Sequence, residues 1–278
     1  MGITKTDFMR GMQCRKMLWL DRHKPQYRVI PPETRARLDA GNVFGDRAMS
    51  MFGPYEEMTV YLPGTRIPDK KKMAEKTALH LQLGTPVICE AAFLYYNNYC
   101  AADILKKTDA GYDLYEVKNT GTVKDQFIRD AAFQYYIMDR CKVRIHRIYI
   151  VLHGPDENNP FVPEDITEQA KALAPWINDH IWNLNRMWKQ QEEPEQEPGE
   201  QCTCPYECWY YAYCHNARPE QIRMDILKGE TTMSERKADK AEKEWSDEIP
   251  DDEEEIRPEP YEETYQDGTP KNECWKDR

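Results

Sequence analysis

The sequence has no long apolar run, no apolar leader and no internal repeat. A membrane-spanning helix needs about 18 consecutive apolar residues. No segment approaches that length, so we expect no membrane partner. The first residues, MGITKTDFMRGMQC, contain no apolar stretch of the kind found in secretory signals. These absences favour a soluble cytoplasmic protein.

The net charge of −11 is concentrated at one end of the sequence. Residues 219–278 contain 10 Lys and Arg against 20 Asp and Glu, whereas residues 1–218 contain 28 against 29. Phosphate binding depends on Lys and Arg, and a nearly neutral body can still carry a basic groove. We predict a folded domain over residues 1–218 and a disordered acidic tail over residues 219–278. We interpret the tail as a solvated segment, with cover for a basic groove as the alternative.

The order of helical and extended patterns predicts an α/β protein, or an α+β protein, with a central mixed sheet flanked by helices. Apolar periodicity, turn residues and capping signals define the elements. The predicted helices cover residues 4–23, 33–53, 69–84, 124–140 and 164–190, and the predicted strands cover residues 58–62, 87–95, 99–106, 112–119 and 144–154.

Two neighbouring predicted strands carry charged residues where apolar ones are expected. Glu116 and Lys118 lie on one face because side chains alternate along a strand. Asp103 projects to the same side if the two strands pair. Converging carboxylates repel each other unless a cation joins them or one of them takes up a proton. Oxygen ligands suit Mg²⁺ or Mn²⁺, and the backbone carbonyl of Val117 and the carboxylate of Glu90 would complete the ligand set.

Lys118 beside such an ion would orient an attacking water or neutralise charge on a phosphate. The alternative for each acid is a solvated position on a half-exposed strand. Gln134 lies on an otherwise apolar face of the helix predicted for residues 124–140. A glutamine there needs a partner, which is either a backbone group, the metal site or the substrate.

Nine cysteines in a chain without an export signal indicate thiols and not disulfides. Four lie within CTCPYECWYYAYC, at Cys202, Cys204, Cys208 and Cys214, and Cys14 lies early in the first predicted helix. Four thiolates can hold a [4Fe–4S] cluster or a Zn²⁺ ion. Zinc usually takes short pairs such as Cys-x-x-Cys, which this segment lacks. Free thiols in an aromatic-rich loop are the remaining alternative.

The succession of Glu90, Asp103, the Glu116-Val117-Lys118 triplet and Gln134 resembles the PD-(D/E)XK nuclease superfamily, and within it the RecB-like branch. The segment TDFMRGMQCRKMLWL and the late cysteine trio are similar to iron–sulfur members of that branch. These members include CRISPR-associated exonucleases and uncharacterised phage and bacterial relatives. The resemblance covers about residues 4–216.

The resemblance implies a restriction-endonuclease-like core with a cysteine-cluster subregion at its C-terminal end. Asp103, Glu116 and the Val117 carbonyl would bind Mg²⁺ or Mn²⁺, with Glu90 as an auxiliary acid. Lys118 would act on the water or the phosphate, and Gln134 would help position the substrate. Cys14, Cys202, Cys208 and Cys214 would hold a [4Fe–4S] cluster. Cys204 is the alternative to Cys202, which is preferred because similar sequences place a cysteine three residues before the proline of PYEC.

The implied function is metal-dependent hydrolysis of phosphodiester bonds in single-stranded or end-bearing DNA. The resemblance favours an exonuclease over an endonuclease. Partners would come from recombination, phage or CRISPR-adaptation systems. Two positions depart from the family pattern, since no histidine lies near Gly41 to Asp46 and Met138 stands where a tyrosine is usual. They keep open a weakly active or inactive, cluster-stabilised DNA-binding or assembly protein of the same fold. A zinc-stapled protein without a nucleic-acid role is the third alternative.

Overall fold

The computed structural model describes residues 2–215, which divide into two compact units. We call residues 2–5 and 38–178 the sheet unit, and residues 6–37 and 179–215 the helical unit. The predicted acidic tail, residues 219–278, lies outside the described residues. Within the described part of the chain, every helix is too short or too polar to cross a membrane.

The sheet unit is built on one open, mixed sheet of six strands, which confirms the predicted α/β class. The strands follow one another across the sheet in chain order. The first pairs in parallel with the second and the fourth with the fifth, and the other neighbours are antiparallel. They are β1 (Glu56–Glu57), β2 (Val87–Tyr95), β3 (Asn98–Thr108), β4 (Gly111–Val117), β5 (Ile145–Asp156) and β6 (Asn159–Asp165).

One helix begins and ends at clear sequence signals. In this helix, the fourth, Asp69 caps the N-terminus by accepting a hydrogen bond from the Lys72 amide, and Gly84 ends the helix in the left-handed conformation. The helices of the described residues are α1 (Lys5–Gln13), α2 (Arg15–His23), α3 (Pro32–Ala48), α4 (Lys70–Leu83), α5 (Asp125–Arg140), α6 (Thr167–Ala172), α7 (Ala174–Trp188) and α8 (Tyr211–Cys214).

Helix α5 packs on the sheet against β2, β3 and β5. Its face of Phe127, Ala131, Gln134 and Met138 is buried, as the spacing of these residues predicts. The glutamine on that face is fully buried. The helix therefore carries a polar group to the sheet surface that also holds the predicted acids.

Four predicted elements were wrong in their extent. The helix predicted for residues 33–53 is α3, which ends at Ala48, followed by a 3-10 helix over Met49–Phe52. The first helix is two helices, because Cys14 takes an extended conformation and caps α2 with its sulfur atom. The helix predicted for residues 164–190 is also two, since Pro175 in the first turn of α7 has no amide hydrogen with which to continue α6. The early strand is β1, Glu56–Glu57, and not residues 58–62.

Strand β6 was missed altogether. It is half-exposed to exposed along its whole length and lies at the edge of the sheet. An exposed edge strand needs no alternation of apolar and polar residues, so its sequence has no strand pattern to detect.

Candidate functional site

The three predicted acids lie in one row across the sheet. Cys89 pairs with Ile104, and Ile104 pairs with Tyr115, in two successive antiparallel ladders. The next residues in that register are Glu90, Asp103 and Glu116. Alternation along the strands places Asp103 and Glu116 on one side of β3 and β4, and Glu90 lies close enough to interact electrostatically with both. We call these three residues the acid row. Its convergence follows from the strand pairing that the sequence analysis assumed.

Glu90 interrupts the ladder between β2 and β3. Its φ angle is +53°, although the residue is not glycine, and its neighbours on either side remain paired. Such a left-handed conformation costs about 1–3 kcal/mol and persists where the surrounding structure holds it, often at functional sites. The strained residue is thus Glu90, the member of the acid row that the sequence analysis interpreted as an auxiliary ligand.

Both carboxylate oxygens of Glu116 are engaged. Oε1 accepts hydrogen bonds from Lys118 Nζ at 2.6 Å and from Lys5 Nζ at 3.1 Å, and Oε2 accepts one from Gln134 Nε2 at 2.6 Å. Glu116 is only 1% exposed. Burial opposes its ionisation, but the two ammonium groups outweigh burial and hold its pKa well below the usual range. Glu116 is therefore a carboxylate at neutral pH.

Asp103 has the opposite electrostatic character. Its Oδ2 accepts a hydrogen bond from the backbone amide of Val117 at 2.7 Å. Burial and the charge of Glu116 nevertheless raise its pKa to about 8. In the metal-free protein Asp103 is therefore largely protonated at neutral pH. The role of the Val117 carbonyl as a ligand stays a prediction.

Two residues of the site were missed by the sequence analysis. Asp130 on α5 is buried and accepts hydrogen bonds from Lys118 Nζ and from Gln134 Nε2, the latter at 3.4 Å. Burial and Glu116 raise its pKa. Asp130 lies four residues before Gln134, so the helical period could have revealed it. Lys5 lies 3.1 Å from Glu116 and 3.8 Å from Asp130, and no sequence pattern links it to them.

The donor chemistry of this site suits a divalent cation, but two lysines of the chain lie among the donors. Gln134 Oε1 is buried and has no hydrogen-bond partner within residues 2–215, so a bound water would satisfy it. The acid row supplies hard oxygen ligands. However, no three His, Cys, Asp or Glu side chains of the described residues are arranged to hold a metal ion. Two ammonium groups, from Lys5 and Lys118, lie among the acids instead.

The protonated state of Asp103 predicts the pH dependence of stability in EDTA. The folded protein keeps a proton up to about pH 8, whereas an unfolded aspartate releases it near pH 4. The resulting stabilisation is complete below about pH 4 and is lost as the pH rises through about 8. We expect urea unfolding to show a loss of about 1 kcal/mol per pH unit between these limits.

Asp103→Asn is the matched variant for this measurement. Asparagine keeps an acceptor for the Val117 amide but cannot ionise, so the variant should lose the part of the slope that Asp103 contributes. Asp130 and Glu90, whose pKa values are also raised, keep their own parts. The lowered pKa of Glu116 contributes in the opposite direction, since that stability is lost as the pH falls below the usual glutamate pKa. Equal slopes in the parent protein and Asp103→Asn would contradict the raised pKa of Asp103.

A second candidate site lies in the helical unit, where four cysteines line one pocket. Cys14 lies at the start of α2, and Cys202 ends a 3-10 turn, while Cys208 donates its backbone amide to the Cys202 carbonyl. Cys214 is the last residue of α8. The pocket also includes Met17, Leu20 and Tyr210. These four residues, one early cysteine and three late ones, are the set that the sequence analysis preferred.

The environment of these thiols combines burial with backbone donors. Burial raises the pKa of Cys14 to about 11 and that of Cys208 to about 12. The Met17 amide donates to Cys14 Sγ and the Tyr210 amide to Cys208 Sγ, each at 3.4 Å. Such donors stabilise thiolates once a metal takes the place of the proton. Cys204, the predicted alternative, is not among the residues that line the pocket. It is disulfide-bonded, so the prediction of thiols without disulfides is wrong at this residue, and a disulfide sulfur is not available as a thiolate ligand.

The four pocket cysteines are free thiols and fit a metal or cluster in number and kind. As for the acid row, their side chains do not form a ready set of three or more ligands within the described chain. Comparisons of this sequence with models of protein families and with curated proteins find no match. The geometry of the acid row and the cysteine pocket is therefore what bears on function.

Proposed function

We propose that this protein is a divalent-metal-dependent nuclease that hydrolyses phosphodiester bonds in DNA. The observation that carries the proposal is the acid row with Lys118 bonded to its last member, Glu116, at 2.6 Å. A charged row of this kind on a sheet face is costly unless cations balance it. Two carboxylates beside a lysine are the groups that metal-assisted hydrolysis of a phosphodiester requires.

In this proposal a bound Mg²⁺ or Mn²⁺ supplies a water of lowered pKa and stabilises charge on the phosphate. Asp103, Glu116 and the Val117 carbonyl hold the ion, and Glu90 serves as an auxiliary acid. Lys118 Nζ, kept in place by Glu116 and Asp130, orients the attacking water or neutralises the phosphate. The free Oε1 of Gln134 accepts a hydrogen bond from water or substrate at the same face.

The strand order supports a restriction-endonuclease-like core for the sheet unit. The antiparallel β2, β3 and β4 carry the acids, α5 follows with Asp130 and Gln134, and β5 returns in parallel beside β4. The cysteine pocket supports a [4Fe–4S] cluster at Cys14, Cys202, Cys208 and Cys214, with zinc as the second choice. Together they favour the RecB-like branch and an exonuclease acting on single-stranded or end-bearing DNA.

The second candidate is a DNA-binding or assembly protein of the same fold that cleaves poorly. It is favoured by the two lysines, because Lys5 and Lys118 neutralise Glu116 and Asp130 within the chain itself. A buried ion network of this kind can serve structure alone. Cleavage by the purified protein distinguishes the two candidates.

The test is cleavage of single- and double-stranded DNA by anaerobically purified protein, with Mg²⁺ or Mn²⁺ and with EDTA. We expect metal-dependent cleavage that falls by at least about a hundredfold in Lys118→Met, since one electrostatic group at a transition state contributes about that factor. Lys106→Met is the matched control, because Lys106 lies on the opposite face of β3 from Asp103. It should leave cleavage unchanged.

Two results would count against the nuclease. DNA binding without cleavage in the parent protein would favour the second candidate. Cleavage that survives in Lys118→Met at the parent rate would indicate a contaminant or a different active site.

A further inference from the structure

Lys5 is a second lysine among the acids, and the proposed reaction has no role for it. Its ammonium group lies 3.1 Å from Glu116 Oε1 and 3.8 Å from Asp130 Oδ1. It also interacts electrostatically with Asp103 and Glu90. One cation of the chain thus contacts or faces all the acids of the site. A divalent ion bound to the acid row would face the same set.

Glu116 already bonds two cations of the chain. Its Oε1 atom accepts from Lys118 and Lys5, and its Oε2 atom accepts from Gln134. A carboxylate oxygen has two lone pairs, so Oε1 is saturated and Oε2 has one site left. A divalent ion at Oε1 must replace one of the two ammonium groups, and an ion at Oε2 is repelled by both of them until one leaves.

The geometry indicates which donor leaves. Gln134 is fully buried on α5. Lys118 is held by Glu116 at 2.6 Å and by Asp130, and its side chain is 19% exposed. Lys5 has the longer contacts, at 3.1 and 3.8 Å, and its side chain is 25% exposed. Lys5 is thus the most loosely held of the three and the nearest to solvent.

We propose that Lys5 is a resident counter-ion of the acid row, which holds the carboxylates together without metal and gives way when a divalent cation binds. This inference rests on the proposed metal site. The ammonium group of Lys5 would compete with the divalent cation for the same carboxylates. Lys118 keeps its contact with Asp130 in both states, so the two lysines have different roles.

The first test is the affinity of the full-length protein for Mn²⁺ alone, measured by calorimetric titration. Lys5→Met removes the competing charge and keeps the apolar stem, so we expect Mn²⁺ to bind at least about tenfold more tightly. Lys106→Met removes one positive charge from the opposite face of β3 and should change the affinity much less. Lys5→Arg keeps a charge at position 5 and should bind Mn²⁺ more weakly than Lys5→Met.

The second test follows Lys5 itself, by the rate at which acetic anhydride modifies it, read by mass spectrometry. Saturating Mg²⁺ should speed the acetylation of Lys5 several-fold and leave that of Lys106 unchanged. A lysine with a purely structural role would be modified at the same rate with and without Mg²⁺.

The outcomes separate this inference from the proposed function. Equal or weaker Mn²⁺ binding by Lys5→Met, or a Lys5 acetylation rate that ignores Mg²⁺, would overturn the counter-ion role and leave the nuclease proposal in place. The absence of Mn²⁺ binding in both the parent and Lys5→Met would overturn both.

Discussion

Glu116→Gln is expected to abolish metal-dependent cleavage and to destabilise the metal-free protein by about 3 kcal/mol. Glu116 is 1% exposed and neutralises two ammonium groups, those of Lys5 and Lys118. Glutamine is similar in shape but leaves both cations with Asp130 as their remaining acid partner. Removing one partner of a buried ion pair is costly because the other charge stays buried without compensation.

The double variant Glu116→Gln with Lys5→Met isolates the electrostatic part of this effect. It removes one of the two uncompensated cations, so urea unfolding should show that part of the lost stability returns. Cleavage should not return, because the proposed metal ligand Glu116 is still missing. Glu164→Gln, which changes an exposed glutamate of β6, is the control for the loss of one negative charge. It should change stability by less than about 0.5 kcal/mol.

An unchanged stability in Glu116→Gln would mean that the lysines do not depend on Glu116. Cleavage at the parent rate in the same variant would remove Glu116 from the proposed metal site. The two readouts are independent, so the variant tests the ion network and the chemistry separately.

Cys208→Ser is expected to remove bound iron and sulfide from anaerobically purified protein and to lower its stability by several kcal/mol. Cys208 is buried, and its sulfur atom accepts from the Tyr210 amide in the pocket that Cys14, Cys202 and Cys214 also line. A metal group that joins cysteines from residue 14 and residues 202–214 contributes its binding energy to folding. Serine offers a hydroxyl group, which is a poor ligand for iron–sulfur clusters.

Cys141→Ser is the control, since Cys141 is a free thiol that lies outside the pocket lining. It should keep the iron, the sulfide and the visible absorption of the parent. Loss of the cluster in Cys204→Ser and its retention in Cys202→Ser would reverse the choice between these two cysteines. Zinc without iron or sulfide in the parent protein would contradict the [4Fe–4S] assignment.

The sequence was sufficient to single out the acids of the acid row, while their convergence depended on a strand pairing that it could only assume. An aspartate and a glutamate within apolar strands are unusual enough to be noticed, and the two-residue period of a strand places Glu116 and Lys118 on one face. The predicted strand at Val87–Tyr95 is the observed β2, so Glu90 also falls where expected. These are local patterns, and each depends only on residues that are near one another in the chain.

The tertiary structure alone decided how the charges of the site are balanced. Lys5 lies 111 residues from Glu116 in the chain, and no local period connects the two. Asp130 shares a helix face with Gln134, but only the packing of α5 on the sheet brings it to the lysines that also bind Glu116. The split of the first helix at Cys14 likewise follows from its extended backbone and the bond that its sulfur accepts, which helical periodicity does not encode. Local patterns can show where a buried charge lies, but which group neutralises it depends on long-range packing that brings distant residues together.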